Sequence, residues 1–504
     1  MSGWVRGFVA SSRLLLIAPL LLFATLVAWS VASPVGASPD EDYHLVSTWC
    51  ATGNTASCEF EEGDSEAKVP GALLGASCFA FDFDKSAACQ DDLDFTGPVD
   101  TTTDRGNFYG AYPPVFHHVM SIFVGNDIRA SVVLMRVFIS LVFTLMATAL
   151  FLLLPPARRP TLVWSWAVTT VPLGLFVLTS MNPSAWAVAG VGFGWLALAA
   201  FFETSGRRKI GLGVLFAISV VMAAGSRGDA ALYMSLAIGA AVVLQARRTR
   251  RFAIDAILPA AALVFCILMF RVSRPAEALT QGVPPDNSFS VLLGRILPTM
   301  WDVPSLWMGV FGKGWGLGWL DTSMPAFVWI ATLGVFLGTG IVAGIRGDVR
   351  KYLVLGGGFL VLLLMPTAVL VAAGQPVGEN LQPRYLLPLV VLFAGVLFWA
   401  PPGREIRFGL VQRIVVVLAL AGAQSIALFL NMARYITGFD GISPNLDLNK
   451  EWWWDIAISP MTVWVLGSLA YAGLLALLIG RATSVPWVGP AVSADRPPVQ
   501  ANMR

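Results

Sequence analysis

Windows of about 17 or more mostly apolar residues recur along nearly the whole chain, and each is long enough to cross roughly 30 Å of hydrocarbon. This pattern leaves few folds open, because a backbone inside lipid must satisfy its own polar groups, as a helix does. Spans are expected near 14–32, 131–154, 161–180, 184–203, 210–225, 229–246, 253–271, 324–345, 352–373, 384–400, 408–432 and 460–480, the fifth being the shortest. The expected fold class is an all-α polytopic membrane protein with about twelve transmembrane helices. Composition agrees: 13% of the 504 residues are charged, half the share usual in soluble chains. A net charge of +2 gives no reason to expect a nucleic-acid partner.

Basic residues beside a span resist export. Arg158-Arg159, Arg207 to Lys209, Arg247 to Arg251, Arg346 to Lys351 and Arg404 to Arg407 fall on alternate connections, which places all of them, and both termini, in the cytoplasm. The chain then divides into 1–32, a cytoplasmic start and first span; 33–130, a large exterior loop; 131–271, spans two to seven; 272–323, a second exterior segment; 324–480, spans eight to twelve with an exterior loop at 433–459; and 481–504, a cytoplasmic tail. The first span follows Arg6 and Arg13 as a secretory signal would, but its apolar run exceeds that of a signal peptide, so it is expected to be retained.

The first loop concentrates the unusual chemistry. Residues 33–112 hold 15 Asp and Glu against Lys68, Lys85 and Arg105. Cys50, Cys58, Cys78 and Cys89 lie within it, on the oxidising side, so two disulfides are expected with the pairing open among three arrangements. The fifth cysteine, Cys266, reads as a small buried residue inside a span. Ser38-Pro39-Asp40-Glu41-Asp42-Tyr43-His44 brings three carboxylates and an imidazole to the membrane surface. A carboxylate there suits a general base, and the three acids together suit a divalent cation, the one cofactor the sequence suggests; a solvated acidic loop start fits the composition equally. The loop closes on Phe108 to His118, whose aromatic rings suit either sugar and headgroup contact or an interfacial belt.

Two further exterior stretches read as membrane-surface anchors. Phe289 to Leu297 is too short to cross, and Trp452-Trp453-Trp454 is of a type that favours the headgroup level. Arg136, Arg227 beside Asp229, Arg271, Arg274, Arg384 and Arg434 fall near the outer ends of spans, against the charge trend. Each alone could snorkel; together they suit an anion such as a lipid phosphate.

Ser38 to His44, Tyr112-Pro113-Pro114, Met181 to Trp186, Ser226-Arg227-Gly228-Asp229 and Gln382 to Pro388, in that order, resemble a bacterial membrane family known as domain of unknown function 2142. That family in turn looks like the C-type (GT-C) glycosyltransferases, multispanning enzymes that use lipid-phosphate-linked sugars and carry catalytic acids in the first exterior loop. The resemblance implies a GT-C-like fold in a bacterial plasma membrane, with Asp40 and Glu41 as catalytic acids. It further implies that Arg384, Arg227, His44, Tyr112, Asn182 and Gln382 contact the substrate or its lipid phosphate. The expected partners are the bilayer, a polyprenyl-phosphate-linked sugar and a cell-envelope glycan or lipid acceptor. Two features depart from the family pattern: a third acid, Asp42, and Pro383 where Gly is common before the Arg. A transporter or flippase for a lipid-linked or anionic solute, or a noncatalytic assembly protein, is the alternative; the former predicts ionisable groups at the bilayer midplane and broken helices there.

Overall fold

A computed structural model of the chain describes residues 17–60, 65–273, 289–379, 381–448, 451–454 and 456–482. Arg274, the start of the first span and most of the C-terminal tail lie outside them.

Nine helices among the described residues are long and apolar enough to cross a membrane. In chain order the helices used below are α1 (Ala18–Val31), α2 (Glu41–Trp49), α3 (Val115–Met120), α4 (Ile128–Leu153), α5 (Arg159–Ala167), α6 (Leu173–Leu178), α7 (Pro183–Glu203), α8 (Gly206–Ser226), α9 (Gly228–Gln245), α10 (Ile257–Val272), α11 (Phe289–Val310), α12 (Ala326–Gly344), α13 (Val349–Ala373), α14 (Pro383–Leu397), α15 (Leu410–Ile436) and α16 (Pro460–Leu477). A short helix, Arg250–Asp255, leads into α10 and completes that span.

Three expected spans take another form. Ala18–Val31 and Pro383–Leu397 are shorter apolar helices, and 161–180 is two helices, α5 and α6, separated at Val168–Pro172. Pro172 explains the break: proline lacks the N–H that a continuing helix needs and pushes the preceding residue out of the helical region. The Phe289 run opens a 22-residue helix, α11, with Pro298 and Pro304 inside it, and α11 is not one of the nine helices long and apolar enough to cross.

Helix starts are set by local chemistry. Asn182 caps α7 through Oδ1 to Ser184 N at 2.9 Å, with Pro183 opening the helix, and Asp348 caps α13 through Lys351 N at 2.9 Å. Helix α7 is buried along almost its entire length, against α4, α8, α9 and α14. Small residues permit that approach. A methyl placed on Gly190 would lie 2.6 Å from Ser219 O, so glycine lets the α7 and α8 backbones meet.

The large loop folds onto one end of the bundle. It contributes α2, α3 and a three-stranded antiparallel sheet, β1 (Glu59–Phe60), β2 (Ala67–Pro70) and β3 (Val99–Thr103), in the order β1-β2-β3. Disulfides join Cys50 to Cys58 and Cys78 to Cys89, so the pairing follows the nearest neighbours in sequence. Leu45, Val46, Trp49 and Phe79 share one continuous core with Leu428, Met432 and Tyr435 of α15. Trp453 and Trp454 belong to the same core, and Trp454 Nε1 donates to Val31 O at 2.8 Å. These two rings are therefore packed inside the protein rather than displayed as a headgroup belt; hydropathy reports a ring's preference and not what it packs against.

The five basic connections meet at the other end. Arg158 pairs with Glu203 and donates to Ala400 O, Gln245 joins Glu203, Lys209 pairs with Asp255, Arg350 reaches Leu244 O, and Arg404 bonds Gly347 O. The grouping of connections into two ends thus follows the alternation of charge along the chain.

Candidate functional site

Asp40 stands at the N-cap of α2 with φ +60°, a left-handed conformation that is uncommon for a residue with a side chain. Its carboxylate is about one-third exposed. Oδ2 accepts from Arg384 Nη2 at 2.5 Å, and Arg105 Nη2 lies 3.6 Å from Oδ1. The Arg384 guanidinium is buried; it also donates to Pro39 O at 2.8 Å and to the Tyr385 hydroxyl at 3.1 Å. Asn182 Nδ2 donates to the same Pro39 carbonyl at 3.0 Å. Two distant helix starts, those of α7 and α14, thereby hold the bend that carries Asp40.

The other two acids turn away. Glu41 is fully buried, with Arg136 Nη2 at 2.8 and 3.0 Å from its oxygens, and Oε2 also accepts from Ser38 N. Asp42 is held by Arg105 through both guanidinium Nε and Nη2. Successive residues at a helix start point about 100° apart, so Asp40, Glu41 and Asp42 make their shortest contacts with Arg384, Arg136 and Arg105 respectively, and Arg105 also reaches Asp40. The three do not converge as a cation site, and among the described residues no group of three or more His, Cys, Asp or Glu could hold a metal ion.

Behind Asp40 lies an aromatic and imidazole cluster. His44 Nδ1 is 3.3 Å from His117 Nε2, with the rings stacked, and the His44 ring meets Tyr112 edge-on at 5.0 Å. Burial, together with the His117 neighbour, holds His44 well below the ordinary imidazole range, and burial pushes His117 down to about 3. Both are neutral at pH 7. Burial also raises the Tyr43 and Tyr112 hydroxyls far above the usual phenol range. Arg227 stacks over Tyr385 at 4.4 Å and lies 5.6 Å from Tyr112. It pairs with Asp229 at 2.8 Å and donates to Ser184 Oγ at 3.2 Å. Tyr385 thus has two guanidinium groups within about 5 Å of its ring, Arg384 being 5.0 Å from its centroid.

Beside this cluster runs a crevice of about 390 Å³, counted out to its open mouth, between the Ser38-Pro39 bend, α6, the start of α14 and the 315–320 turn. Gln382 and Asn182 line it with Arg384, and the Gln382 Oε1 atom is buried without a partner.

All five sequence stretches singled out above thus meet in one place. Asp40, His44, Tyr112, Asn182, Arg227, Gln382 and Arg384 form a continuous set, while Glu41 lies beneath it. Arg434 belongs elsewhere: it is fully buried against Asp321 and the carbonyls of Phe79, Asp82 and Lys85. Arg271 is exposed at the end of α10. The sequence reading overlooked Arg105, Ser184 and Tyr385. Arg105 carried a signal, being the one arginine among the acids of residues 33–112.

Residues 22–393 match the model of a family described as predicted membrane protein (DUF2142). No curated protein and no solved structure matches the chain.

Proposed function

The chain belongs to the DUF2142 family of predicted membrane proteins, and from that premise we propose that it is a GT-C-like membrane glycosyltransferase. It would transfer a sugar from a polyprenyl-phosphate carrier to an exported cell-envelope glycan or lipid. The observation that carries this reading is the pair formed by Asp40 and Arg384, 344 residues apart in sequence and joined at the edge of the crevice. A carboxylate next to a buried guanidinium supplies both groups that the displacement needs.

In this scheme the carrier phosphate takes the place of the Asp40 carboxylate on Arg384, which frees Asp40 to act. Asp40 accepts the proton of the acceptor hydroxyl, the acceptor oxygen bonds to the anomeric carbon, and the bond from that carbon to the phosphate oxygen breaks. The leaving phosphate keeps the electron pair and is stabilised by Arg384 and Arg227. Glu41, with both oxygens engaged by Arg136, takes a structural part; Asp40 is the base. Asn182 and Gln382 position the bend and the donor, and Tyr112 and His44 line the wall behind. The orientation that follows from the basic connections puts this end outside the bacterial plasma membrane, with both termini inside.

Purified protein reconstituted with a radiolabelled polyprenyl-phosphate hexose and envelope extract should transfer label, and Asp40→Asn should slow transfer at least about 100-fold while leaving carrier binding measurable. Transfer by Asp40→Asn at the parental rate would overturn the reading.

A second reading has one observation in its favour. The break between α5 and α6 falls beside the crevice, since Leu173, Phe176 and Val177 line it, and broken helices mark transporter sites. A flippase would move a fluorescent polyprenyl-phosphate analogue between leaflets without consuming the sugar bond, which separates the two.

A further inference from the structure

At the opposite end of the bundle a second concavity, about 860 Å³ counted out to its wide mouth, is lined by Ala246, Arg247, Arg248 and Arg350. It lies between the end of α9 and the first turn of α13, and Arg350 Nη1 reaches Leu244 O at 3.5 Å across the gap. These positions are at the ends of membrane-crossing helices, which is the level of lipid headgroups.

Among the described residues the arginines of this cleft make no ion pair. Glu203 is taken by Arg158 and Gln245, Asp255 by Lys209, Glu405 by Arg407, and Asp348 by the backbone of Lys351. Among the described residues no carboxylate pairs with Arg247, Arg248 or Arg350. Three guanidinium groups thus line one concave space, and guanidinium matches phosphate oxygens in a planar, two-pronged way.

The rim decides which phosphate. Val349 and Leu353, one turn apart on α13, are 73% and 65% exposed, and Val243 on α9 is 40% exposed. The helices that bring these arginines together thus also expose apolar side chains within a turn or so of them, so an occupant with a charged head and hydrocarbon tails satisfies both parts. We propose that this cleft binds the phosphate of an anionic phospholipid from the adjoining leaflet, independently of the site around Asp40.

The full chain, purified in detergent with phosphatidylglycerol or phosphatidylcholine added, would be examined by native mass spectrometry for retained lipid. Phosphatidylglycerol should be retained preferentially. Each arginine removed should weaken retention about fivefold, and the double variant Arg247→Gln/Arg248→Gln about 25-fold. Arg350→Gln tests the cleft from its other wall. Arg407→Gln removes an exposed charge at the same end, outside the cleft, and should leave retention unchanged. Equal loss in Arg407→Gln, or unchanged retention in the double variant and in Arg350→Gln, would overturn the proposal. Displacement of the lipid by millimolar inorganic phosphate would overturn it as well, assigning the cleft to a soluble anion.

Discussion

Asp40 and Glu41 are neighbours in sequence and opposites in environment. Asp40→Asn keeps shape and removes the proton acceptor, so transfer should fall by about 10²- to 10⁴-fold, with a smaller loss of stability than at Glu41 because Asp40 is about one-third exposed and an amide oxygen there can still accept from Arg384. Glu41→Gln should act on the fold instead, because it leaves Arg136 as an unpaired buried charge, a loss of about 3–5 kcal/mol. Thermal unfolding of the two variants in detergent separates the roles; equal stability of both would show that the Glu41–Arg136 pair carries nothing. At Arg384, Lys would keep the charge and lose the planar fork, so Arg384→Lys should bind carrier phosphate about 10- to 100-fold more weakly, read by titration with the carrier. The histidine pair gives a pH dependence. His117 has a folded value of about 3 against about 6.5 unfolded, so between those values the unfolded chain binds more protons and stability falls as pH drops. Above about 6.5 the contribution is flat. Melting temperature measured from pH 8 to 4 should decline less steeply in His117→Asn than in the parent. These residues were legible in the sequence as types in an odd place, acids and arginines at helix ends. Their pairing was not, because nothing local links position 40 to position 384 or 41 to 136.

Helices were the most legible level. Nine expected spans are helices of crossing length within a few residues of their expected limits, because an apolar run long enough for the bilayer has no competing structure in lipid. The exceptions had a different cause. Hydropathy averages over Pro172, so a helix break inside an apolar window passes unseen, and it reads Trp453 and Trp454 as surface residues because it takes no account of Tyr435 of α15 and Val31 of α1, which meet them. Glycine tells the two kinds of helix contact apart. Gly190→Ala should force α7 and α8 apart and destabilise the protein by about 1–3 kcal/mol. Gly239, with nothing within 4 Å of an added methyl, should accept alanine without loss. Thermal unfolding of the two variants makes the comparison, and equal effects would mean that the α7–α8 contact is not close-packed.

The molecule as a whole has two chemically distinct ends, one acidic with Arg136, Arg384 and Arg434 buried beneath it, one basic and open. If the basic connections face the cytoplasm, Ser65→Cys and Asn445→Cys, each in a Cys266→Ala background that keeps both disulfides, should react with an impermeant thiol reagent on intact cells. Thr249→Cys should not. Labelling at Thr249→Cys alone would invert the orientation and place Asp40 on the nucleotide-rich side, where a lipid-phosphate donor loses its advantage. The folded loop has a consequence for assembly. Three arginines of the membrane helices are satisfied by groups that the loop provides: Arg136 by Glu41, Arg384 by Asp40, and Arg434 by the carbonyls of Phe79, Asp82 and Lys85. Residues 33–112 leave the ribosome before any of those helices. The early segment is thus a docking template for helices made later, and a chain lacking it would leave Arg136 and Arg384 without their carboxylates and Arg434 with Asp321 alone.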